Sequence, residues 1–363
     1  MSAKKNADTK KTASKPKHKK SSKPSKTRFG LTFAYASALL AVILVIGGWI
    51  TFNYATKSYS GDEKWLYIPR YSEKTAIRDS LTAFDPEFGN RVYKIWDIIS
   101  SDHHRASGAY KITNGTTALA LARRIRTGSQ TPVKVTFHNI RTMDQLAEKV
   151  TANLNISERD FLDACDTILS LKGFKKNEYP AAFIPDTYEF YWDVLPYPVI
   201  RKLFKEHEKF WTDDRKAKAE ALGLTPVEVA TIASIVQEET SKADERPLVA
   251  RLYMNRLKKN MPLQADPTVK FALGDFNLRR IYKQHLGVRS PYNTYVNKGL
   301  PPGPIRVVTR NTIDDVLNAP EHNYLYMCAK EDFSGYHNFA TDFASHQANA
   351  RRYQAALNKR GIL

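Results

Sequence analysis

Cysteine is almost missing from this chain. Among 363 residues there are two, Cys165 and Cys328. Two thiols in such distant segments make no metal site, and no metal or other cofactor is expected. In an exported domain they would pair or stay as two separately buried thiols, and the spacing leaves both open. The pair of histidines in Asp102-His103-His104 has no third ligand nearby in sequence, so it reads as an exposed loop. Acidic residues are scarce at the start: residues 1–28 hold ten Lys and one Arg against a single Asp, so +10 of the formal +19 lies there. Apolar residues are scarce there too, which excludes a folded tail. Beyond the tail no basic run stands out, so nucleic acid, the generic partner of a basic protein, is not expected.

Long apolar runs are rare as well, and the one present is informative. Residues 29–54, FGLTFAYASALLAVILVIGGWITFNY, run for 26 positions without a charge. That length spans a bilayer with some tilt. No small-residue cleavage site closes the run, which continues through Gly47-Gly48-Trp49-Ile50, and Trp49 and Tyr54 suit the interface. The spacing predicts a retained single-pass helix. The Lys/Arg bias puts the N-terminus in the cytoplasm and residues 55–363 on the outer side of the cytoplasmic membrane.

The remainder is organised around TPVEVATIASIVQEET, residues 225–240. Thr225 and Glu228 have capping-box spacing, and Pro226 occupies the first helical position. At 100° per residue, Val229, Ile232, Ile235 and Val236 form an apolar stripe. Glu239 falls within that stripe, while Glu238 and Gln237 fall on its flanks or the opposite face. A carboxyl facing an apolar surface has its pKa raised, which is what a general acid requires near neutral pH. A last helical turn that merely reaches solvent is the alternative. The motifs downstream decide against it.

From residue 63 the chain shows a weak strand–turn–helix repeat. Residues 64–68 and 108–112 read as strands, and Val133, Val135 and Phe137 alternate as a third. Helices are expected over 77–81, over 117–125 closed by Gly128, and after the Thr142-x-x-Gln145 cap, with Leu146 and Val150 inward. Residues 151–175 read as a helical connector. The aromatic run of residues 183–192 suits either a core or a sugar-holding surface. A helix over 247–257 turns Leu248, Val249, Leu252 and Leu257 inward. Pro- and Gly-stiffened turns then carry Gln, Asp, Asn, Thr and Tyr, neutral hydrogen-bonding groups suited to hydroxyls and amides. A buried strand over 324–327, a hairpin return at 337–339 and a last helix over 343–357 close the chain.

Seven motifs occur together in order: residues 233–240 (ASIVQEET), Glu245-Arg246, Asn255-Arg256-Leu257, residues 263–268 (LQADPT), residues 292–295 (YNTY), residues 299–305 (GLPPGPI) and His337-Asn338-Phe339. This set resembles the YceG-like family of endolytic murein transglycosylases over roughly residues 60–355. The family motif often reads Glu-Lys-Glu-Thr where this chain has Gln237-Glu238-Glu239-Thr240, and its last Glu maps onto Glu239. The resemblance implies an α+β fold. Behind the tail (1–28), the membrane helix (29–54) and a linker (55–62) it places a LysM-like α/β module (63–155) and a catalytic domain (156–363).

The resemblance further implies cleavage of the MurNAc–GlcNAc β-1,4 bond inside peptidoglycan glycan strands, leaving 1,6-anhydro-MurNAc ends. Glu239 would be the catalytic acid. Gln264, Asp266, Thr268, Tyr292, Asn293, Thr294, Tyr295 and His337 would line the glycan cleft. Peptidoglycan synthases are conceivable partners. One carboxyl would serve twice, whereas hydrolysing glycosidases use two. A muramidase with Asp266 as the second carboxylate, and a silent peptidoglycan-binding scaffold, are the competing readings.

Overall fold

The computed structural model describes residues 26–101, 106–278 and 280–361. Most of the basic tail and the Asp102-His103-His104 stretch lie outside them. The chain divides into two units, residues 1–57 and 58–363. In the first, α1 (Lys26–Thr56) contains one segment, Leu31–Thr56, long and apolar enough to cross a membrane.

The second unit is mixed α+β, with three separate two-stranded antiparallel sheets among the described residues. β1 (Lys64–Ile68) is followed by α2 (Lys74–Phe84) and α3 (Pro86–Ile99), then by its partner β2 (Gly108–Ile112). Sequence periodicity missed α3. Its start is nonetheless signed: Asp85 accepts hydrogen bonds from Phe88 N at 2.8 Å and Glu87 N at 3.1 Å, and Pro86 leads the helix. α4 (Ala118–Thr127) ends on Gly128 at φ 66°, a left-handed position that glycine adopts without steric cost. Within the stretch expected as a linker, Tyr59 is buried and its backbone pairs with Gly115 and Thr116.

β3 (Val133–Phe137) pairs with β4 (Asp186–Phe190) in the register Val135↔Tyr188, across α5 (Met143–Thr151) and α6 (Glu158–Leu171). Here α6 corrects the expected connector. Its Phe161, Ala164, Cys165, Ile168 and Leu169 are buried, so it is a wall of the first core together with α7 (Pro196–Phe210). The aromatic run resolves as core too: Phe183, Tyr188 and Phe190 are buried, and only Tyr191 and Trp192 reach the surface.

The second core forms around α9 (Pro226–Glu239), which follows α8 (Asp213–Ala221). The capping box is present: Glu228 N donates to Thr225 Oγ1 at 3.2 Å, and Thr225 N to Glu228 Oε2 at 2.7 Å. The expected single stripe is not present. Every residue from Val229 to Val236 is buried, because α10 (Arg246–Lys258), α11 (Asp266–Leu273) and α12 (Arg310–Leu317) enclose the helix from several sides. Of the inward residues expected on α10, Val249 and Leu252 are buried, whereas Leu248 and Leu257 are half-buried. β5 (Tyr326–Ala329) starts two residues later than expected and is half-exposed; it pairs with β6 (His337–Ala340) before α13 (Phe343–Lys359). Cys165 and Cys328 are both free thiols.

The loop over 299–308 stitches the two cores together. Ile305 and Val308 belong to the second core and Val307 to the first, and Val307 N donates to Ile140 O at 2.8 Å. The loop is pinned on α9 by Ser234, whose Oγ donates to Thr231 O at 2.7 Å and accepts from Ile305 N at 3.0 Å. Gly303 lies against the backbone of Asn177, where an added Cβ would stand 2.0 Å from the carbonyl oxygen. Gly303→Ala is therefore expected to push this loop off α9 and to destabilise the protein by about 1–3 kcal/mol. Thermal unfolding of the variant checks this; an unchanged Tm would mean the loop yields freely.

Candidate active site

The last turn of α9 radiates like spokes. Gln237 Oε1 accepts from Thr309 N at 3.0 Å and Oγ1 at 3.2 Å. Glu238, expected on a flank or solvent face, is instead gripped by Arg141 through two bonds of 3.1 Å and by Arg306 as well. Glu239 points into a cavity of 220 Å³ lined by Tyr253, Arg256, Gln264, Asp266, Tyr295 and His337 among others.

Glu239 as a residue is half-buried, yet its Oε2 is sealed from solvent and has no hydrogen-bond partner. Burial is the main cause that pushes its pKa up from 4.5 to about 7. His337 and, more weakly, the Tyr253 hydroxyl and Lys270 favour the charged form; the charge on Asp266 opposes it. The group is thus poised to hold or release a proton at neutral pH.

Around it the walls are stiff. Asp266 opens α11, and its Oδ1 accepts from Tyr295 Oη at 2.6 Å. Gln264 sits in the left-handed region at φ 52°, an uncommon place for a side-chain-bearing residue. Its backbone N–H donates to Thr294 O at 3.0 Å, and its Oε1 accepts from Arg256 Nη1 at 3.2 Å. Those bonds hold the strained backbone in place. His337 is oriented by buried Glu245: its backbone N donates to Oε1 at 2.6 Å, and its Nδ1 lies 2.8 Å from Oε2. Thr240 Oγ1 completes Glu245 at 3.0 Å, one residue after Glu239.

Of the nine expected residues, Glu239, Gln264, Asp266, Tyr295 and His337 come together on the cavity. Thr268, Asn293 and Thr294 do not line it, because each is 0–1% exposed. They brace the walls from behind: Thr268 Oγ1 donates to Ala265 O at 2.7 Å and lies 2.8 Å from Thr294 Oγ1, and Asn293 Nδ2 holds the carbonyls of Leu286 and Val288 at 2.9 Å each. Tyr292 packs on Phe271, ring centres 4.7 Å apart. Sequence reasoning missed the roles of Tyr253, Arg256 and Glu245. The two on α10 stand three apart on one helix face, and that spacing was the available signal. Buried Arg256 ties Pro262 O, Leu263 O and Leu325 O together at 3.1, 3.0 and 2.6 Å, so it fixes two sides of the cavity at once.

With this geometry established, similarity to other proteins places the chain. The YceG-like family model matches residues 66–352. The chain belongs to the YceG-like family. It is similar to the endolytic murein transglycosylase of Bacillus subtilis (strain 168), 25% identical over 314 residues, or 81% of this chain and 86% of that protein. It is also similar to the endolytic murein transglycosylase of Streptococcus pneumoniae serotype 2, 36% identical over 110 residues, a stretch covering 29% of this chain and 20% of that protein. A YceG-like protein from Listeria monocytogenes, known from a 2.6 Å crystal structure, shares the fold with a TM-score of 0.52 at 24% identity, covering 80% of this chain and 99% of that one.

Two measurements check the electrostatics of this YceG-like site. Asp266→Asn removes a charge that raises the Glu239 pKa, so the Glu239 carboxyl should titrate below its wild-type value of about 7 when followed by carbon NMR. An upward move would contradict the geometry. Stability gives the second. Glu239 ionises near 4.5 when unfolded and near 7 when folded, so between those values the native state holds more protons and stability falls as pH rises. The loss is at most about 3 kcal/mol and is complete above the folded value. Glu239→Gln escapes it, so the variant should gain stability over wild type from pH 5 to pH 8 in denaturant titrations.

Proposed function

We propose that this chain is a peptidoglycan lytic transglycosylase that cuts the MurNAc–GlcNAc β-1,4 bond within glycan strands. The observation that carries the reading is the Glu239 carboxyl, with its Oε2 sealed and unpartnered and its pKa near 7. Protonated, it donates to the glycosidic oxygen as the C1–O bond breaks through an oxocarbenium-like state. The carboxylate left behind takes the proton from the C6 hydroxyl of the same MurNAc, and that oxygen bonds to C1. One bond is broken and one formed, the proton returns to Glu239, and no water is consumed. The product end is 1,6-anhydro-MurNAc.

The neighbours suit this double duty. Glu245 holds His337 through Nδ1 on the wall of the cavity, where the ring favours the charged form of Glu239 in the second half of the cycle. Asp266, the candidate for a second glycosidase carboxylate, already accepts the Tyr295 hydroxyl and begins a helix. Both roles suit a wall that orients substrate more than a nucleophile. Residues 63–155 are proposed as a LysM-like module that holds the strand, and residues 156–363 as the part that cuts. α1 is proposed as a single-pass anchor with its N-terminus in the cytoplasm. That topology places the cut close to where strands are made, with peptidoglycan synthases as partners.

Digestion of purified peptidoglycan by the full-length protein, read by mass, tests the reading. Released muramic ends should be lighter than hydrolysed ends by one water and should resist borohydride reduction. Reducible, full-mass ends would make the protein a muramidase, and no released ends a scaffold. Glu239→Gln should retain the fold and lose about 10²–10⁴-fold in turnover, since its amide gives up no proton. Glu238→Gln should leave that proton transfer in place, acting only through the arginines it holds.

A further inference from the structure

A second, smaller cavity of 60 Å³ adjoins the first, lined by Arg141, Glu238, Pro267, Lys270, Phe271 and Phe276. Its lining takes the chain neighbours of two main-cavity residues: Glu238 precedes Glu239, and Pro267 follows Asp266. Its size corresponds to about two water molecules, enough for a carboxylate and too little for a sugar ring.

Its charges do not balance. Glu238 carries one negative charge against the guanidiniums of Arg141 and Arg306, which both bond it. Lys270 adds a third positive charge. It is half-buried and forms no ion pair within 4.0 Å among the described residues, although its charge reaches the Glu239 carboxyl of the main cavity. Cations brought this close together from water repel one another unless an anion joins them. Arg141 is held flat by its two bonds to Glu238 and lies 5.2 Å over the Phe276 ring, so it cannot swing out to solvent without losing both contacts. Phe271 and Phe276 supply an apolar flank, their ring centres 6.2 Å apart.

Building on the reading of the main cavity as the transglycosylase site, we propose that Lys270 and Arg141 form an anion subsite that binds a carboxylate of the peptide stem carried by a muramic residue beside the scissile bond. In peptide-bearing strands the lactyl group is an amide, so the stem supplies the carboxylates. An arginine presents planar donors and a lysine a mobile point charge, and together they close on a carboxylate from two sides. The aromatic flank accommodates the aliphatic part of the stem. The subsite makes the enzyme favour strands that still carry their peptides.

The test measures binding apart from cutting. Full-length Glu239→Gln protein in detergent is titrated with soluble glycan strands bearing intact stems, and with the same strands after their carboxylates are capped as methylamides. Intact strands should bind about tenfold tighter. Adding Lys270→Gln should erase that preference, and Lys270→Arg should keep most of it. Equal affinity for the two strands, or a Lys270→Gln loss of the same size on both, would overturn the subsite. A protein that shows the preference while its wild-type form cuts neither strand would leave the subsite standing and bring down the transglycosylase reading instead.

Discussion

The constraint on which the rest depends is the placing of a carboxyl at the end of a helix that is buried on every side. Along α9, burial of Val229, Ile232, Ile235 and Val236 stabilises the fold by about 1.5–3 kcal/mol per side chain. One desolvated carboxyl costs about as much as one of those side chains contributes. The fold can therefore tolerate Glu239 as it stands, with one oxygen left unpartnered. The helix is buried throughout from Val229 to Val236, and burial is the main cause of the raised pKa of the carboxyl at its end.

Two neighbouring glutamates on one turn show how environment divides identical chemistry. Glu238 receives three hydrogen bonds from two guanidiniums and serves as a structural clamp between residues 141 and 306. Glu239, one residue on, meets no guanidinium and holds its proton near neutrality. The 100° between successive helical residues suffices to send one side chain to the arginines and the other to the cavity. The clamp also serves the acid. By anchoring the last turn of α9 to the loops at 139–141 and 305–309, it leaves little freedom for the Glu239 backbone, as the proposed proton donor would require.

Local chemistry was legible in the sequence where it is self-contained. Thr225, Pro226 and Glu228 specify the start of α9 among themselves, and Thr117 and Gly128 bracket α4 in the same way. Alternation in Val133, Val135 and Phe137 marked a strand because its other face meets water. The α9 stripe was misread because helical periodicity assumes one face in solvent, whereas α9 has none. The connector role given to residues 151–175 failed for a related reason: amphipathicity says that a face is buried but not against what. Thr268, Asn293 and Thr294 carry the same polar groups as the cavity residues, and a sequence does not say whether a hydroxyl meets a ligand or another hydroxyl. Glu245 and Arg256 were visible within motifs, but their partners lie 92 and 69 residues away in His337 and Leu325.

Rigidity and charge are then two sides of one design. The cavity walls come from four separate stretches, 239, 253–256, 264–266 with 295, and 327–337, and each is tied by a buried polar group to another. Arg256 joins the 262–264 turn to Leu325 just before β5, the Thr268–Thr294 pair joins α11 to the 292–295 turn, and Glu245 joins the loop after α9 to β6. None of these bonds reaches Glu239 Oε2. A donor turned to that oxygen would favour the charged form and lower the pKa. The network instead satisfies its members against one another, which leaves the one unsatisfied acceptor in the middle of a pre-formed cavity. On the proposed function, a substrate oxygen is the partner for which that atom has been kept.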